Sequence, residues 1–303
     1  MNCIININKP KGPTSHDIVY FARRLLGIKK VGHTGTLDPL AAGVLPICAG
    51  KATRAAEVLT NADKAYRAAF VLGITTDTQD AAGVPNVRCK DIDLTEKDIA
   101  DEIAPFIGDI TQIPPMYSAV KVGGKKLYQL ARDGVEIERS ERHVKIFDIK
   151  IHEIDLHNQI MVNEVAITAP RIVMDVKCSK GTYIRTLCAD IGEKLGCGAF
   201  VTELTRTQSG QFHIEDSYTL EELERAKEDG SLHKHLTPLE DLFAQYSDVT
   251  VSGRDEIFAK NGGNPRAQGV IEDETYRVFS ESGEFLSISR VRDGRLCIVK
   301  NFY

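Results

Sequence analysis

The 303-residue sequence has no apolar run long enough to cross a bilayer, and its beginning has no secretory pattern. The segment from Met1 to Ile5 lacks the basic stretch and the apolar core that a signal peptide requires. We therefore expect a cytoplasmic protein that makes no contact with membranes.

The sequence also lacks the patterns of a disulfide framework and of a metal site. Its seven cysteines are scattered and include no Cys-x-x-Cys pair, which is typical of reduced core thiols. His233 and His235 lie in an acidic stretch, and no other residues have the spacing of zinc ligands. We expect no structural metal.

Positive charge is scarce overall but concentrated locally. The net charge is −5, which by itself argues against a nucleic-acid partner. The basic residues, however, fall into two sets: Lys9, Lys11, Arg23, Arg24, Lys29, Lys30, Lys51 and Arg54, then Lys121, Lys125, Lys126 and Arg132. Local field matters more than net charge for steering a polyanion, so both sets can attract nucleic acid. The alternative for residues 23–30 is a solvated helix face.

Strand and helix patterns alternate without a regular βαβ order. The predicted strands are 4–7, 44–48, 66–72, 144–154 and 172–178, and the predicted helices are 14–26, 51–59 and 184–195, with capping boxes at 95–98 and 219–222. This mixture favours an α+β fold over a doubly wound sheet. The chain length suits a large domain with a small one attached.

The pattern changes at about residue 245. Short strand-like runs separated by glycine turns follow, at 249–251, 276–280, 285–290 and 296–299. We expect a first domain at 1–246 and a small β-rich module at 247–303. A module of this size cannot hold a large core of its own.

One carboxylate, Asp38, lies in a turn of small residues between Gly32 and Gly43. Glycines allow close backbone approach, while Pro39 restricts its own φ and biases Asp38 towards an extended conformation. The carboxylate is therefore held on a shaped loop. Both a functional role and simple capping of a surface turn are consistent with this pattern.

Three other side chains have ordinary structural interpretations. If Thr182 caps its helix, Arg185 falls in the first turn, where a cation opposes the helix dipole. Arg185 is then either the partner of an anion or a surface arginine. Tyr66 lies on the apolar face of a strand, where most tyrosines belong to the core. His33, in a glycine-rich loop, is either structural or a general base.

Five segments resemble, in the same order, the motifs of the TruB family of pseudouridine synthases. They are Lys9-Pro-Lys-Gly-Pro-Thr-Ser15, His33-Thr-Gly-Thr-Leu-Asp-Pro-Leu-Ala-Ala-Gly-Val-Leu45, Asp63-Lys-Ala-Tyr-Arg67, Pro114-Pro-Met-Tyr-Ser-Ala-Val-Lys121 and Ser179-Lys-Gly-Thr-Tyr-Ile-Arg-Thr-Leu187. The resemblance covers roughly residues 3–210. One such match would be weak, but five in order leave little room for chance.

The resemblance implies both a fold and a reaction. The fold is a mixed, mainly antiparallel sheet with flanking helices. The reaction converts uridine 55 in the T arm of transfer RNA into pseudouridine, with base flipping and without a cofactor. The implied catalytic residues are Asp38, Tyr66 and Arg185. Arg185 pairs with Asp38 and keeps it ionised, Tyr66 stacks on the base, and Leu204 forms an apolar wall of the uracil pocket. Whether Asp38 attacks the base or the sugar, or removes a proton, stays open.

The resemblance also implies how RNA is held. His33 fills the space that the flipped uridine leaves, and Arg54 contacts RNA. Lys9 and Pro10 brace the loop of Asp38. An insertion at about 114–142, which carries Lys121, Lys125 and Lys126, clamps the RNA, and residues 247–303 resemble a PUA-like RNA-binding domain. We expect a monomer that binds transfer RNA and needs no protein partner.

Two rival functions remain compatible with the sequence. The first is an RNA-binding or tRNA-folding protein that keeps the scaffold without catalysis, although the intact Asp38, Tyr66 and Arg185 argue against it. The second is a nucleoside hydrolase or glycosidase. That class generally uses two carboxylates, and no second acid accompanies Asp38 in its motif. Small nucleolar RNA-guided relatives share the core motifs, but the chain length and the lack of basic tails favour a stand-alone enzyme.

Overall fold

A computed structural model describes residues 1–118 and 120–303 of the chain. The side chains of Lys121, Lys126 and Arg132 lie outside this description. The RNA-contacting roles predicted for Lys121 and Lys126 therefore concern side chains outside the described part.

Strands and helices alternate irregularly along the described residues. The strands are β1 (Cys3–Lys9), β2 (Val31–His33), β3 (Ala42–Ala49), β4 (Lys64–Leu72), β5 (Ile74–Thr76), β6 (Pro85–Val87), β7 (Gly108–Gln112), β8 (Lys121–Val122), β9 (Lys125–Lys126), β10 (Arg142–Asp155), β11 (Gln159–Val162), β12 (Val165–Thr168), β13 (Arg171–Cys178), β14 (Ala199–Ser209), β15 (Phe212–His213), β16 (Thr237–Pro238), β17 (Ser247–Val251), β18 (Thr275–Ser280), β19 (Phe285–Arg292) and β20 (Arg295–Asn301). The helices are α1 (Ser15–Leu26), α2 (Ala56–Thr60), α3 (Glu96–Ile103), α4 (Leu127–Arg132), α5 (Ile184–Lys194), α6 (Leu220–Glu228) and α7 (Gly253–Lys260).

The largest sheet has the strand order β16-β1-β3-β14-β4-β13-β10-β7, with β2 beside β3 and β15 beside β14. Its pairs are antiparallel except for β3 and β14, which run parallel. Apolar residues of α1, α3, α5 and α6 pack on one face of this sheet and form the main core. The α+β fold and the mainly antiparallel sheet predicted from the sequence are confirmed.

Helix ends were the most accurately predicted local features. Thr95 with Asp98 and Thr219 with Glu222 form the two predicted capping boxes, because each threonine accepts a backbone N–H that its helix leaves unpaired. α1 ends at Gly27, which has a φ of 67° that favours glycine and donates its N–H to the Arg23 carbonyl.

Two helix predictions need correction. Residues 50–55 form a 3₁₀ helix and only 56–60 are α-helical, so the continuous helix predicted over 51–59 is wrong. α5 is capped by Tyr183, without a side-chain hydrogen bond, and not by Thr182. The Thr182 hydroxyl donates to the Ser179 carbonyl at 2.9 Å instead, which closes the turn before the helix.

A second sheet, β17-β18-β19-β20, follows near the end of the chain, and strands occupy all four segments predicted there. One side of it holds a small core that includes Val278 and Leu296. On the other side, the rings of Phe285 and Phe302 stack with their centroids 5.1 Å apart, and both residues share a second core with Ile4 of β1. This sheet is therefore packed against the large sheet as well as having a small core of its own.

Among the described helices, none is both long and apolar enough to span a membrane.

Candidate functional site

The loop that carries Asp38 joins β2 to β3 and is fixed to α1 by hydrogen bonds. The Ser15 hydroxyl, which is buried, donates to the Leu37 carbonyl at 2.9 Å and accepts the Leu37 N–H at 2.8 Å. The Gly12 N–H donates to the Pro39 carbonyl at 2.8 Å, and the Ala41 N–H donates to the Asp38 carbonyl at 3.0 Å. Because these bonds hold both sides of Asp38, its backbone is set before any substrate binds.

Lys9 lies beneath this loop and is completely buried. Its Nζ donates to the Pro10 carbonyl at 2.8 Å. Burial lowers the pKa of the Lys9 ammonium to about 8, and the nearby Asp38 carboxylate opposes that change. Lys9 thus adds positive charge behind the loop. It cannot reach RNA from there, so Lys9 does not contribute to a basic surface, and its place behind the loop agrees with the bracing role expected for it.

Arg185 enters the site from the second position of α5. The start of this helix is held by Gln112 of β7, a buried side chain that accepts the Tyr183 N–H at 3.0 Å and donates to the Tyr183 carbonyl at 3.2 Å. The Arg185 guanidinium donates to the carbonyls of Thr78 (2.6 Å) and Tyr117 (2.8 Å). A cation at this end of a helix is unfavourable by about 0.3–1 kcal/mol, and the hydrogen bonds of the guanidinium compensate for that cost.

Asp38 and Arg185 form an ion pair on the floor of a cavity. Nη2 of Arg185 lies 2.8 Å from Oδ2 of Asp38, and the Arg185 and Asp38 side chains are 5% and 39% exposed. The pairing expected from the sequence is therefore present. Burial nevertheless raises the pKa of the Asp38 carboxyl above its usual value, and the charge of Arg185 opposes that rise without cancelling it. Arg185 therefore holds the carboxylate in place but does not bring its pKa below the usual value.

A second carboxylate, Asp80, contacts the same guanidinium. Its Oδ2 lies 3.3 Å from Nη1 of Arg185, and its side chain is only 6% exposed. Its Oδ1 accepts hydrogen bonds from the Thr78 hydroxyl at 2.6 Å and the Ala82 N–H at 3.0 Å. Asp80 was not predicted from the sequence, because it lies far outside the Asp38 motif, which itself contains no second acid. No local spacing relates Asp80 to Arg185, so only the acidic Asp77-Thr-Gln-Asp80 turn could have drawn attention to it.

The remaining walls bring Tyr66 and Leu204 next to the ion pair. Both lie on adjacent strands, with Arg206 directly opposite Tyr66 in the β4–β14 register. The cavity measures about 320 Å³, a size typical of small-ligand sites. Its described lining residues are Gly35, Thr36, Leu37, Asp38, Ala41, Thr60, Lys64, Tyr66, Ser118, Ser179, Gly181, Thr182, Tyr183, Ile184, Arg185, Leu204 and Arg206. Asp38 is the one carboxylate in that set.

Lys64 lines the cavity and was not predicted from the sequence to be functional. Its Nζ donates to the carbonyls of Leu59, Thr60 and Ala62 and so fixes the end of α2 to the start of β4. Burial lowers the pKa of the Lys64 ammonium to about 8. Its position in the motif before Tyr66 was visible in the sequence, but its burial was not.

The residues predicted to contact RNA lie apart from the cavity. His33 ends β2, and its Nδ1 accepts the Gly35 N–H at 3.3 Å. Arg54 donates to the Tyr303 carbonyl at the second sheet. Lys125 is exposed in the β8–β9 hairpin. The structure brings Asp38, Tyr66, Arg185 and Leu204 together, and it does not bring His33, Arg54 and Lys125 to the same cavity.

The first basic set also offers less unpaired positive charge than its count suggests. Arg24 pairs with Glu224 and Lys51 pairs with Glu284, each at 3.1 Å. Within the described residues, the members of this set that are exposed and have no side-chain partner are Lys11, Lys29 and Lys30. The basic surface expected from the first 54 residues is therefore smaller than the eight residues of the set would give.

The described residues contain no group of three or more His, Cys, Asp or Glu side chains that could hold a metal ion. What the cavity offers instead is one carboxylate beside a fixed guanidinium, with an aromatic and an aliphatic wall. Such a site can stabilise positive charge or form a covalent bond while holding a flat ring. Within the described residues, the cavity therefore has the composition of an enzyme site, with a single aspartate among its lining side chains.

Comparison with known proteins identifies the family. One family model, described as TruB family pseudouridylate synthase (N terminal domain), matches residues 23–184. Another, described as tRNA pseudouridylate synthase B C-terminal domain, matches residues 185–244. The chain belongs to the TruB family of pseudouridylate synthases, which are isomerases. The segment from residue 245 to 303 lies outside both family models.

Curated relatives and solved structures agree with this assignment. A Clostridium kluyveri protein named tRNA pseudouridine synthase B is 43% identical over the whole of both chains. A Geobacillus thermodenitrificans protein of the same name is 46% identical over 90% of this chain and 88% of its own. A solved Cbf5-Nop10-Gar1 complex contains a chain with a TM-score of 0.68 and 27% identity, covering 99% of this chain and 85% of that one.

Proposed function

We propose that this protein converts uridine 55 in the T arm of transfer RNA into pseudouridine, with Asp38 as the essential carboxylate. The observation that carries the proposal is the Asp38–Arg185 ion pair, in a cavity whose walls include Tyr66 and Leu204. The names of the curated relatives support transfer RNA as the substrate. Position 55 rests on the resemblance of the five sequence motifs to those of the TruB family.

The proposed reaction breaks the bond between uracil N1 and C1′ of the ribose and joins C5 to C1′, while N1 gains a proton and C5 loses one. It is redox neutral, and we propose that it uses no cofactor. Because Arg185 engages Oδ2 of Asp38, Oδ1 is the oxygen left to face the substrate. Attack on the base, attack on the sugar and stabilisation of a cation are all compatible with that geometry.

Base flipping follows from where the carboxylate lies. Asp38 lines the cavity together with Tyr66 and the buried Leu204. A uracil stacked inside an RNA loop cannot bring N1 and C5 into this cavity, so the nucleotide must leave the stack. Unstacking costs a few kcal/mol, which stacking on Tyr66 and contacts to the RNA backbone can offset.

We propose a division of labour for RNA binding. The catalytic part at 1–246 includes the insertion at 114–142, in which Ser118 lines the cavity and Lys125 is exposed. Residues 247–303 form a PUA-like module that contacts RNA outside the T loop. His33, at the edge of the Asp38 loop, fills the place of the flipped nucleotide. Arg54 belongs to the RNA surface only if RNA displaces its contact with Tyr303.

Asp80 provides the one specific observation that favours a hydrolase, since glycosidases use two carboxylates. Its carboxylate is already occupied by Arg185, Thr78 and the Ala82 N–H, and it does not line the cavity. A carboxylate with all these partners cannot act as the second acid or base. The geometry therefore favours isomerisation over hydrolysis.

The test uses unmodified transfer RNA labelled with tritium at C5 of uridine. We expect tritium release and a carbodiimide-dependent primer-extension stop at position 55, with no free uracil among the products. A stop at another position would overturn the assignment of position 55. Free uracil would favour the hydrolase, and binding without tritium release would favour the RNA-binding protein.

A further inference from the structure

Arg206 of β14 is a buried cation without an acidic partner. Its side chain is among the largest that are completely buried, and no carboxylate among the described residues lies within ion-pair distance of it. An isolated buried charge is costly, so a guanidinium in this position must be satisfied by fixed dipoles. It was not singled out in the sequence, where Thr-Arg-Thr is typical of an ordinary strand.

The dipoles that satisfy Arg206 come from both ends of the loop that carries Asp38. Nε donates to the Val44 carbonyl at 2.7 Å, just after the loop, and Nη2 donates to the Gly35 carbonyl at 3.2 Å, near its start. One rigid, planar group therefore spans the loop. A guanidinium can do this because its donors are held in a fixed fork.

The same guanidinium lies beside Tyr66. Arg206 and Tyr66 are directly opposite each other on β14 and β4, and both line the cavity. Burial raises the pKa of the Tyr66 phenol, whereas the positive charge of Arg206 opposes that rise. Arg206 is thus a neighbour of the aromatic wall of the cavity as well as of the loop that carries the carboxylate.

The backbone at Arg206 is also fitted closely to this loop. Gly43 pairs with Arg206 in the short parallel contact between β3 and β14. Gly43 has a φ of 99°, and a Cβ there would lie 2.2 Å from the Arg206 carbonyl oxygen. Only glycine fits this approach. A register shift between Arg206 and Gln208 then bends the strand beside the cavity.

We propose that Arg206 is a positioning residue that fixes the Asp38 loop and Tyr66 relative to each other for the reaction. This inference rests on the proposed isomerase function. Arg206 does not need to touch the RNA. It acts by holding Gly35, Val44 and Tyr66 in one arrangement, so that the carboxylate and the stacking ring meet the same uracil.

The experiment compares Arg206→Lys, which keeps the charge but loses the fork, with Arg206→Gln, which keeps a planar donor but loses the charge. The matched control is Arg171→Lys, at a partly exposed arginine paired with Glu153 and Glu203 on the same sheet. Two quantities are measured: the single-turnover rate with saturating protein, and amide hydrogen exchange in residues 34–44.

We expect both Arg206 variants to slow single turnover by about 10- to 100-fold, because small displacements of reacting groups have effects of that size. Their affinity for transfer RNA and their melting temperatures should stay close to those of the control. Exchange in residues 34–44 should rise by about tenfold. A Tyr66→Phe, Arg206→Lys double variant should be hardly slower than the worse single variant, because the two residues act as a unit.

Normal single turnover and normal exchange in both variants would overturn the proposal, as would fully multiplicative effects of the Tyr66 and Arg206 substitutions. Unfolding of both variants would show that Arg206 is needed by the fold itself and would overturn the positioning role. Hydrogen exchange does not depend on activity. If wild-type protein failed to isomerise uridine, the proposed function would fail, while exchange would still test how Arg206 holds the loop.

Discussion

The cavity and the second sheet hold their charges in different ways. In the cavity, Arg185 is 5% exposed and is bound to two backbone carbonyls as well as to two carboxylates. At the contact with the second sheet, Lys51 and Glu284 form an ion pair with side chains 34% and 40% exposed, and Lys300 and Glu57 form another. The charges in the cavity are therefore held in place by buried hydrogen bonds and ion pairs, whereas the charges at the contact with the second sheet are partly exposed to solvent.

This difference predicts where substitutions matter. Buried charges that are bound to backbone dipoles cannot be rearranged by solvent, so changing one of them leaves the others unsatisfied and moves the reacting groups. Exposed pairs are screened and are worth about 0–1 kcal/mol. The chemistry of this protein should therefore be sensitive at the cavity and tolerant at the contact between the sheets.

The largest expected effect follows from Asp38→Asn, with Asp38→Ala as a second variant. Both should reduce the single-turnover rate by about 10³-fold or more, because the only cavity-facing carboxylate of the described residues is removed. Binding to transfer RNA should persist, since affinity comes from many backbone contacts. Tritium release and filter binding measure the two quantities. Asp175→Asn, on the exposed side of the same sheet, is the control. Turnover within about tenfold of wild type would show that Asp38 is not the essential carboxylate.

Arg185 should give the next largest effect. Arg185→Lys keeps the charge but cannot bind Asp38, Asp80 and two carbonyls at once, so single turnover should fall by about 10- to 100-fold. Arg185→Ala should be worse, because it leaves two carboxylates without their cation. The control is Arg88→Lys, which makes the same arginine-to-lysine change in an exposed ion pair with Glu193. Equal rates for wild type and both Arg185 variants would contradict a working Asp38–Arg185 pair.

The pH dependence sharpens the same argument. The proposed reaction requires ionised Asp38, and the pKa of Asp38 is raised, so the single-turnover rate should fall on the acid side at a pH above the usual titration of an aspartate. Asp80→Asn removes a negative neighbour and should move this limb to lower pH. Arg185→Ala, if its rate is measurable, should move it to higher pH. Shifts in the opposite directions would show that another group controls the profile.

The raised pKa of Asp38 also affects stability. Protonation of a group whose pKa is higher in the folded state favours the folded state. The contribution of Asp38 is therefore fully present below the pKa of the unfolded chain and disappears as pH rises through the folded pKa. Asp38→Asn should remove this dependence, which urea unfolding at several acidic pH values can measure.

A smaller effect is expected at the predicted RNA surface. His33→Ala should slow the reaction but leave residual turnover, unlike Asp38→Ala. Neutralising Lys121, Lys125 and Lys126 should weaken binding and reduce its salt dependence, with a log–log slope lower by up to about 0.7–0.9 for each lysine that neutralises an RNA phosphate. Saturating protein should nearly restore single turnover in that triple variant. If His33→Ala were as inactive as Asp38→Ala with unchanged binding, His33 would belong to the chemistry.

The smallest effect is expected at the contact between the sheets. Lys51→Met and Glu284→Gln should each change the free energy of unfolding by less than about 1 kcal/mol, and a double-mutant cycle should give a coupling of similar or smaller size. Urea unfolding measures both. A coupling of several kcal/mol would show that the exposed Lys51–Glu284 pair is as important for stability as a buried pair, which contradicts the difference between the two regions.

The sequence was most informative where the interactions are local. The capping boxes at 95–98 and 219–222, the glycine end of α1 and the four strands after residue 245 were all predicted, because each depends on neighbours within a few positions. The predicted Thr182 cap was wrong because a distant residue takes its place. The Thr182 hydroxyl binds the preceding turn, and Gln112 of a distant strand holds the start of α5.

The site was predicted only in part, and by two kinds of signal. Asp38 was recognisable as a carboxylate on a shaped loop, while its pairing with Arg185 came from the family resemblance. Asp80 and Arg206 gave no local signal, because their importance depends on contacts with residues more than 100 positions away. The roles of these residues in the reaction stay predictions.

The amino-acid sequence alone thus determined the α+β class, the two capping boxes, the glycine that ends α1, the motif order and a carboxylate held in a turn. The tertiary structure decided which charges are buried. Lys9 and Arg24 are both basic residues of the first 54, yet Lys9 is completely enclosed behind the Asp38 loop and Arg24 lies in solvent beside Glu224. Charge is a property of a residue, but exposure and pKa depend on what the folded chain packs around it, and that packing is set by strands far apart in the sequence.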